Sequence, residues 1–316
     1  MKILITGQAG MIGFHSAIAF SKAGWEVKGI DNFNNYYDIK LKQDRSDILK
    51  NEYGIETINE DIENFKNIED IVKDYHCILH LAAYANPRHA LETPQPYIDT
   101  NITGTQRIIE VAEKYDTPIV YASSSCVMHG QPLPWNEHDR PAHQNNPYGW
   151  SKRVNECQLM HSNISRSAGL RFFTVYGPYG RPDMALFTFT DKIVAGEPIE
   201  LYNYGDMKRD FTYVDDIVQG IGLVVDKIVS DTDQTYHEIY NIGHGTQVEL
   251  IDFVDAIEKN LGRKAERLLV PAHPADTPET WSDTTKLQQL GYKPTTPVSV
   301  GVEKFVSWYK EYYGVN

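Results

Sequence analysis

The chain has 316 residues, enough for one large and one small domain at about 150 residues per domain. Hydrophobic residues make up 41% and charged residues 23%, ordinary globular usage that argues against disorder. With 43 Asp and Glu against 30 Lys and Arg the net charge is −13, the wrong sign for a protein that binds nucleic acid by neutralising phosphates. No apolar run approaches the ~20 residues that cross a bilayer. Met1 leads directly into a strand-like Lys2–Thr6, without a signal-peptide pattern. Cys77, Cys126 and Cys157 are odd in number and scattered, which suggests neither a disulfide framework nor a metal site. The expectation is a cytoplasmic α/β protein with no metal, membrane or nucleic-acid partner.

In chain order the strand candidates are Ile3–Thr6, Val27–Ile30, Ile55–Asn59, Ile78–Leu81, Ile119–Ala122 and Leu170–Phe173. Amphipathic segments lie between them; Ile62, Phe65, Ile68, Ile71 and Val72 recur at helical spacing. Strands this apolar, each followed by a helix, predict a doubly wound parallel sheet covered on both faces. The pattern breaks at the turn-rich stretch from Tyr176 to Pro182, a crossing into a second lobe. Ile239–Ile242 reads as a strand returning to the first sheet, and a last helix is expected around Val302–Tyr313. The expected division is 1–175 with 212–243 as one unit, and 176–211 with 244–316 as the other.

Gly7, Gly10 and Gly13 follow the first strand and open a helix. Glycines there tighten the turn, let the backbone approach a pyrophosphate and let the helix pack close to the sheet. The helix N-terminus then offers free N–H groups to phosphate. Three glycines also suit a purely structural turn, but Asp31 ends the second strand about 20 residues on, where a carboxylate accepts ribose hydroxyls and repels a 2′-phosphate. The pattern therefore favours NAD over NADP. Asp61, ending the third strand, could reach the adenine amino group or serve as an ordinary turn aspartate.

Tyr148 and Lys152 are four residues apart and share a helix face. Tyr36/Lys40 and Tyr204/Lys208 have the same spacing, so context decides. Pro147 suits the first turn of a helix, and the fifth strand delivers Ser123, Ser124 and Ser125 to its carboxyl end, where ligands of open α/β sheets sit. A phenol acting as base near neutrality must fall about three pH units from its free pKa of ~10. A Lys ammonium and a positive nicotinamide ring could supply the required stabilisation, and a Ser hydroxyl could relay or orient the proton.

Together the glycine motif, His80-Leu-Ala-Ala83, Ser123–Ser125 and Tyr148-x-x-x-Lys152 resemble the extended short-chain dehydrogenase/reductase family. Arg171-Phe-Phe-Thr-Val-Tyr-Gly-Pro178, Gly180-Arg-Pro-Asp-Met184 and Tyr204–Phe211 are similar to UDP-glucuronate 4-epimerases, and the similarity runs through Pro278-Glu-Thr280. The resemblance implies a Rossmann-like domain with NAD, a smaller mixed α/β C-terminal lobe for a UDP-sugar, and a homodimer through helices flanking Tyr148. It implies that Ser124 and Tyr148 act on the sugar hydroxyl while Lys152 binds the nicotinamide ribose. Cofactor contacts are implied for Gly7, Gly10, Met11, Ile12, Gly13, Asp31, Asn32, Asp61, Ile62, Leu81, Ala82, Ala83, Ser123, Tyr148, Lys152 and Phe173. Substrate contacts are implied for Arg88, Ser125, Cys126, Thr174, Arg181, Arg209 and Asp276, with Arg209 on the diphosphate and Asp276 on the nucleotide ribose.

Thr174 stands where neutral-sugar epimerases of this kind usually have Asn. Its hydroxyl, with Ser125 and the backbone around Cys126, suits an anionic sugar, and Arg181 and Arg88 would add positive charge at the pocket edge. Related dehydratases carry an acidic pair after the catalytic hydroxyl residue, and decarboxylases tend to place a Glu there; this chain has Ser125 and Cys126. The expected reaction is therefore UDP-glucuronate to UDP-galacturonate through a 4-keto intermediate. The alternatives are a neutral-sugar epimerase, a decarboxylase or a non-catalytic NAD-binding protein.

Overall fold

A computed structural model describes residues 1–66, 68–139, 141 and 143–315. The strands β1 (Lys2–Thr6), β2 (Glu26–Asp31), β3 (Thr57–Asn59), β4 (Cys77–His80), β5 (Ile119–Ser124), β6 (Arg166–Phe172) and β7 (Tyr236–Ile242) form one seven-stranded sheet in the order β7-β6-β5-β4-β1-β2-β3. Every pairing in it is parallel. Strand residues alternate between two cores: Ile3 and Ile5 pack with Phe14, Ala17 and Leu41, whereas Leu4 packs with Ile62, Ile108 and Ile109. Both faces are thus buried, which is why these strands read as continuous apolar runs. Strand order reverses at β1, whose Thr6 lies beside His80 of β4, and a ligand crevice opens outside the carboxyl ends of the strands at such a reversal.

β7 pairs with β6 from Tyr236 to Ile242, so the chain does return to the first sheet. Several expected elements differ in extent. The third strand covers only Thr57–Asn59 rather than Ile55–Asn59, and the helical pattern from Ile62 to Val72 yields a helix only over Ile68–Val72. For the helix the reason is local: Asp61 Oδ1 accepts from the Glu63 N–H at 2.9 Å, and an aspartate turn of this kind competes with helix. β6 starts at Arg166, four residues early, because β5 and β7 pair along both of its edges. The last helix is Val298–Tyr313, starting directly after Pro297.

Beyond β6, short strands pair in twos: Thr174–Tyr176 with Phe211–Tyr213, Ile199–Leu201 with Arg267–Leu269, and Lys208–Arg209 with Val248–Glu249. Phe187, Phe253 and Phe305 from three later helices join the same core as Ile3 and Ile5, and Phe211 stacks on Phe253 with centroids 3.9 Å apart. No helix among the described residues is long and apolar enough to cross a membrane.

Candidate active site

A cleft of about 610 Å³ opens at the carboxyl ends of the strands, a size that suits a ligand of cofactor class. Its walls include every site residue expected from the sequence except Asp61. The glycine turn forms one end. Gly7 has φ +72°, and a Cβ there would lie 2.7 Å from Ala82 N; at Gly13 it would lie 2.3 Å from the Gly7 carbonyl oxygen. Both glycines are required by packing. The helix Met11–Lys22 that follows has no side-chain cap at its N-terminus, which leaves its first N–H groups to a ligand. Asp31 sits at the tip of β2 with its Oδ2 accepting from Ala9 N at 3.0 Å and its Oδ1 from Phe33 N at 2.9 Å. Burial pushes its carboxyl above the usual range, against the pull of those N–H groups and of Lys42 and Arg45.

Asp61 lies two residues beyond the end of β3 rather than at it. Its Oδ2 accepts from Asn32 Nδ2 at 2.8 Å, so it orients a residue of the cleft wall instead of lining it. Ser123, likewise expected on the cofactor, donates its hydroxyl to Glu156 at 2.7 Å. Glu156 also takes the Arg171 guanidinium at 2.8 and 3.1 Å.

The helix Pro147–Met160 carries Tyr148 and Lys152. Asn146 caps it by accepting from Gly149 N at 2.8 Å, and Pro147 occupies its first turn. A Cβ on Gly149 would stand 3.0 Å from the Cys126 carbonyl oxygen, so glycine lets this helix approach the segment that follows β5. Tyr148 is 9% exposed and Lys152 2%. The two pairs of equal spacing differ: the Lys40 side chain is 70% exposed and paired to Asp44, and Tyr204 is 62% exposed. Lys152 Nζ has no acceptor among the described residues, and burial pulls its pKa down to about 7. Burial also drives the Tyr148 phenol well above its ordinary value, although the Ser124 hydroxyl opposes this. The expected lowering of the phenol by Lys152 is therefore not a property of the protein alone, because burial dominates the shift of each group. Behind them His80, bonded to Thr6 and Thr105 hydroxyls at 2.7 and 2.9 Å, is held neutral by burial and the nearby Lys152, with a pKa of about 3.

An amine that is buried, unpartnered and on the cleft wall, a turn that tolerates only glycine and an uncapped helix N-terminus together fit a dinucleotide carrying ribose hydroxyls and phosphates.

On the substrate side the arginines are not equivalent. Arg88 is paired to Asp276 through Nε and Nη2 at 3.2 and 2.8 Å and lies over the Tyr202 ring at 3.8 Å. Arg181 is paired to Asp183 at 2.9 and 2.5 Å. Neither presents a free positive charge, and the Asp276 carboxylate expected on ribose is taken by Arg88. Among the described residues Arg209 has only carbonyl acceptors, Lys208 at 3.0 Å and Pro278 at 2.7 Å, and burial lowers its pKa below the ordinary arginine value. Ser124 Oγ accepts from Cys126 N at 3.1 Å, which removes that backbone donor from the expected anion site. The Ser125 and Thr174 hydroxyls remain on the wall with no partner among the described residues.

Several residues of the cleft wall escaped the sequence reading. Asp183 accepts from Tyr36 OH at 2.9 Å and from Asn86 Nδ2 at 2.8 Å, joining three separate loops. Lys42, 5% exposed, donates to the Asn34 carbonyl and side chain at 2.8 Å each. No local pattern announces these contacts, since each partner is brought in by tertiary packing.

Residues 3–243 match the family model described as NAD dependent epimerase/dehydratase family. The chain is similar to Protein CapI of Staphylococcus aureus, 41% identical over 99% of each chain. It is also similar to UDP-glucuronate 4-epimerase 1 of Arabidopsis thaliana, 40% identical over 100% of this chain and 78% of the relative. A crystal structure of the UDP-glucuronic acid 4-epimerase of Bacillus cereus with UDP-glucuronic acid and NAD superposes with a TM-score of 0.92 at 30% identity, covering 99% of this chain and 100% of that one. With the family model spanning most of the chain and full-length relatives beside it, this protein belongs to the NAD dependent epimerase/dehydratase family.

Proposed function

We propose that the chain is an NAD-dependent epimerase acting at carbon 4 of a UDP-sugar, and that its substrate is UDP-glucuronate, converted to UDP-galacturonate. The observation that carries the reading is the meeting of Tyr148, Ser124 and the unpartnered Lys152 in the same cleft as the glycine turn. Full-length similarity to UDP-glucuronate 4-epimerases supports the sugar. When bound, NAD supplies the acceptor and donor for the hydride of carbon 4 and a positive ring that lowers the phenol. Lys152 would donate hydrogen bonds to the ribose hydroxyls and so gain the partners it lacks. Tyr148 takes the proton of the 4-hydroxyl, and Ser124 orients that oxygen. The 4-keto sugar, planar only at carbon 4, turns over in the cleft, so that the hydride would return to the opposite face of that carbon while Tyr148 gives the proton back to the carbon-4 oxygen. No net oxidant is consumed.

The 4-keto form of glucuronate is a β-keto acid, which loses carbon dioxide when its carboxylate bond stands perpendicular to the carbonyl plane. The Thr174 hydroxyl, at the start of a short strand, and the Ser125 hydroxyl, directly after β5, hold the carboxylate near that plane. Arg209 takes the diphosphate. Asp276 reaches the nucleotide ribose on release from Arg88.

The reading includes a cofactor unit of residues 1–175 with 212–243 and a sugar-nucleotide lobe of 176–211 with 244–316. In support, the seven-stranded sheet lies wholly in the first set and the pairs of Ile199–Leu201 and Lys208–Arg209 wholly in the second. It also includes a homodimer in the cytoplasm. Exposed Ile98, Tyr115 and Met160 on the segments flanking Tyr148 support such an interface.

The test is to incubate purified protein with UDP-glucuronate and follow the sugar resonances by NMR. UDP-galacturonate should form with little UDP-pentose and without accumulation of NADH. A product dominated by UDP-pentose, or faster turnover of UDP-glucose, overturns the assignment.

A further inference from the structure

The helix Ile39–Tyr53 buries one arginine completely. Arg45 is 0% exposed, and the reaction as proposed makes no use of it. Its Nη1 donates to the Ala9 carbonyl at 2.7 Å and the Tyr37 hydroxyl at 2.9 Å. Its Nη2 donates to the Tyr179 carbonyl at 2.5 Å and, at 3.4 Å, to that of Gly180. Every acceptor among the described residues is neutral, and Nε has none there. A buried guanidinium without a carboxylate is costly, so its acceptors matter.

Apart from Tyr37, which lies just before the same helix, they belong to the two loops that meet at the cleft. Ala9 lies inside the glycine turn, and its own N–H is held by Asp31 at 3.0 Å. Asp31 and Arg45 thus clamp this residue from its two peptide groups, one through the N–H and the other through the carbonyl. Tyr179 and Gly180 immediately precede Arg181 on the cleft wall. Tyr179 has φ +57°, a conformation that a bulky residue adopts when its surroundings hold it there. The same guanidinium therefore grips both the turn expected to carry phosphate and the bend from which Arg181 reaches the cleft.

We propose that Arg45 is a positioning residue for both halves of the site. It sets the direction of the glycine-turn N–H groups and fixes the Tyr179–Gly180 bend, and its charge, which makes no ion pair among the described residues and acts on Asp31 only at longer range, favours an anion at the turn. The proposal rests on the reading that NAD occupies this cleft. It adds a residue that touches neither cofactor nor sugar.

Two variants test it: Arg45→Met, which removes fork and charge, and Arg45→Lys, which keeps the charge and loses the fork. NAD affinity is measured by titration calorimetry on cofactor-free protein, and kcat and KM for UDP-glucuronate are measured at saturating NAD. In Arg45→Met both the NAD dissociation constant and KM should rise about tenfold, the effect of losing hydrogen bonds from a charged donor. At saturation kcat should stay within roughly threefold, since Tyr148, Ser124 and Lys152 are untouched. Arg45→Lys should recover part of the NAD affinity but not the KM, which follows the planar fork. A purely structural role would lower thermal stability without this split.

Folded variants with both constants unchanged overturn the proposal, as does a fall in kcat alone. Failure of both variants to fold also overturns it, since the arginine is then a scaffold residue only. If the wild-type protein itself does not bind NAD, the functional reading fails first. Wild-type binding with unperturbed variants sinks this proposal alone.

Discussion

Lys152→Met should make the cofactor-free protein more stable while removing its activity. Burial lowers the lysine from 10.5 to about 7 in the folded chain, and at about 1.4 kcal/mol per pH unit that gap is a cost of about 5 kcal/mol. The side chain is 2% exposed, so solvent screening takes little off this figure. Below pH 7 both folded and unfolded chains hold the proton, and the cost is present in full. Between pH 7 and 10.5 only the unfolded chain holds it, so wild-type stability rises with pH across that window, by up to about 1.4 kcal/mol per unit. The variant lacks this group, so its urea-unfolding midpoint should be higher at pH 7 and should climb less by pH 9. Added NAD should stabilise the wild type more than the variant, because ligand binding gives the amine its missing acceptors. A less stable Lys152→Met protein at pH 7, or one with the same pH dependence as wild type, would refute the reasoning.

Tyr148→Phe removes the acid/base group and should lower the epimerisation rate by about 10²- to 10⁴-fold; near-normal turnover by NMR would take Tyr148 out of the mechanism. Asp31→Ala loses both the proposed ribose acceptor and the anchor of Ala9 N, so NAD affinity should fall about tenfold or more, with weaker discrimination against NADP in competition binding. An unchanged preference between the two cofactors would make Asp31 a turn residue only. Thr174→Val keeps the shape and removes the hydroxyl; NMR should then show slower epimerisation and a larger share of UDP-pentose, and an unaltered product ratio would free Thr174 from the carboxylate.

The strands, the glycine turn and the Tyr148–Lys152 helix were legible in the order of residues, because each is written within a few chain neighbours. Alternating burial of Ile3, Leu4 and Ile5 needs only strand periodicity and two covered faces. The turn needs residues without a Cβ at Gly7 and Gly13, and the helix needs Asn146 and Pro147 at its start. Tertiary structure decided what those residues meet. Arg88 finds Asp276 across 188 positions of chain and Arg45 finds Tyr179 across 134, distances over which no spacing rule operates. Asp61 turns to Asn32 rather than the cleft because it sits in a local aspartate turn two residues beyond the end of β3. The direction of the Tyr148 and Lys152 shifts was also outside the sequence's reach: spacing puts a cation beside a phenol, but burial, a property of the whole fold, determines which protonation state each group favours before a ligand arrives.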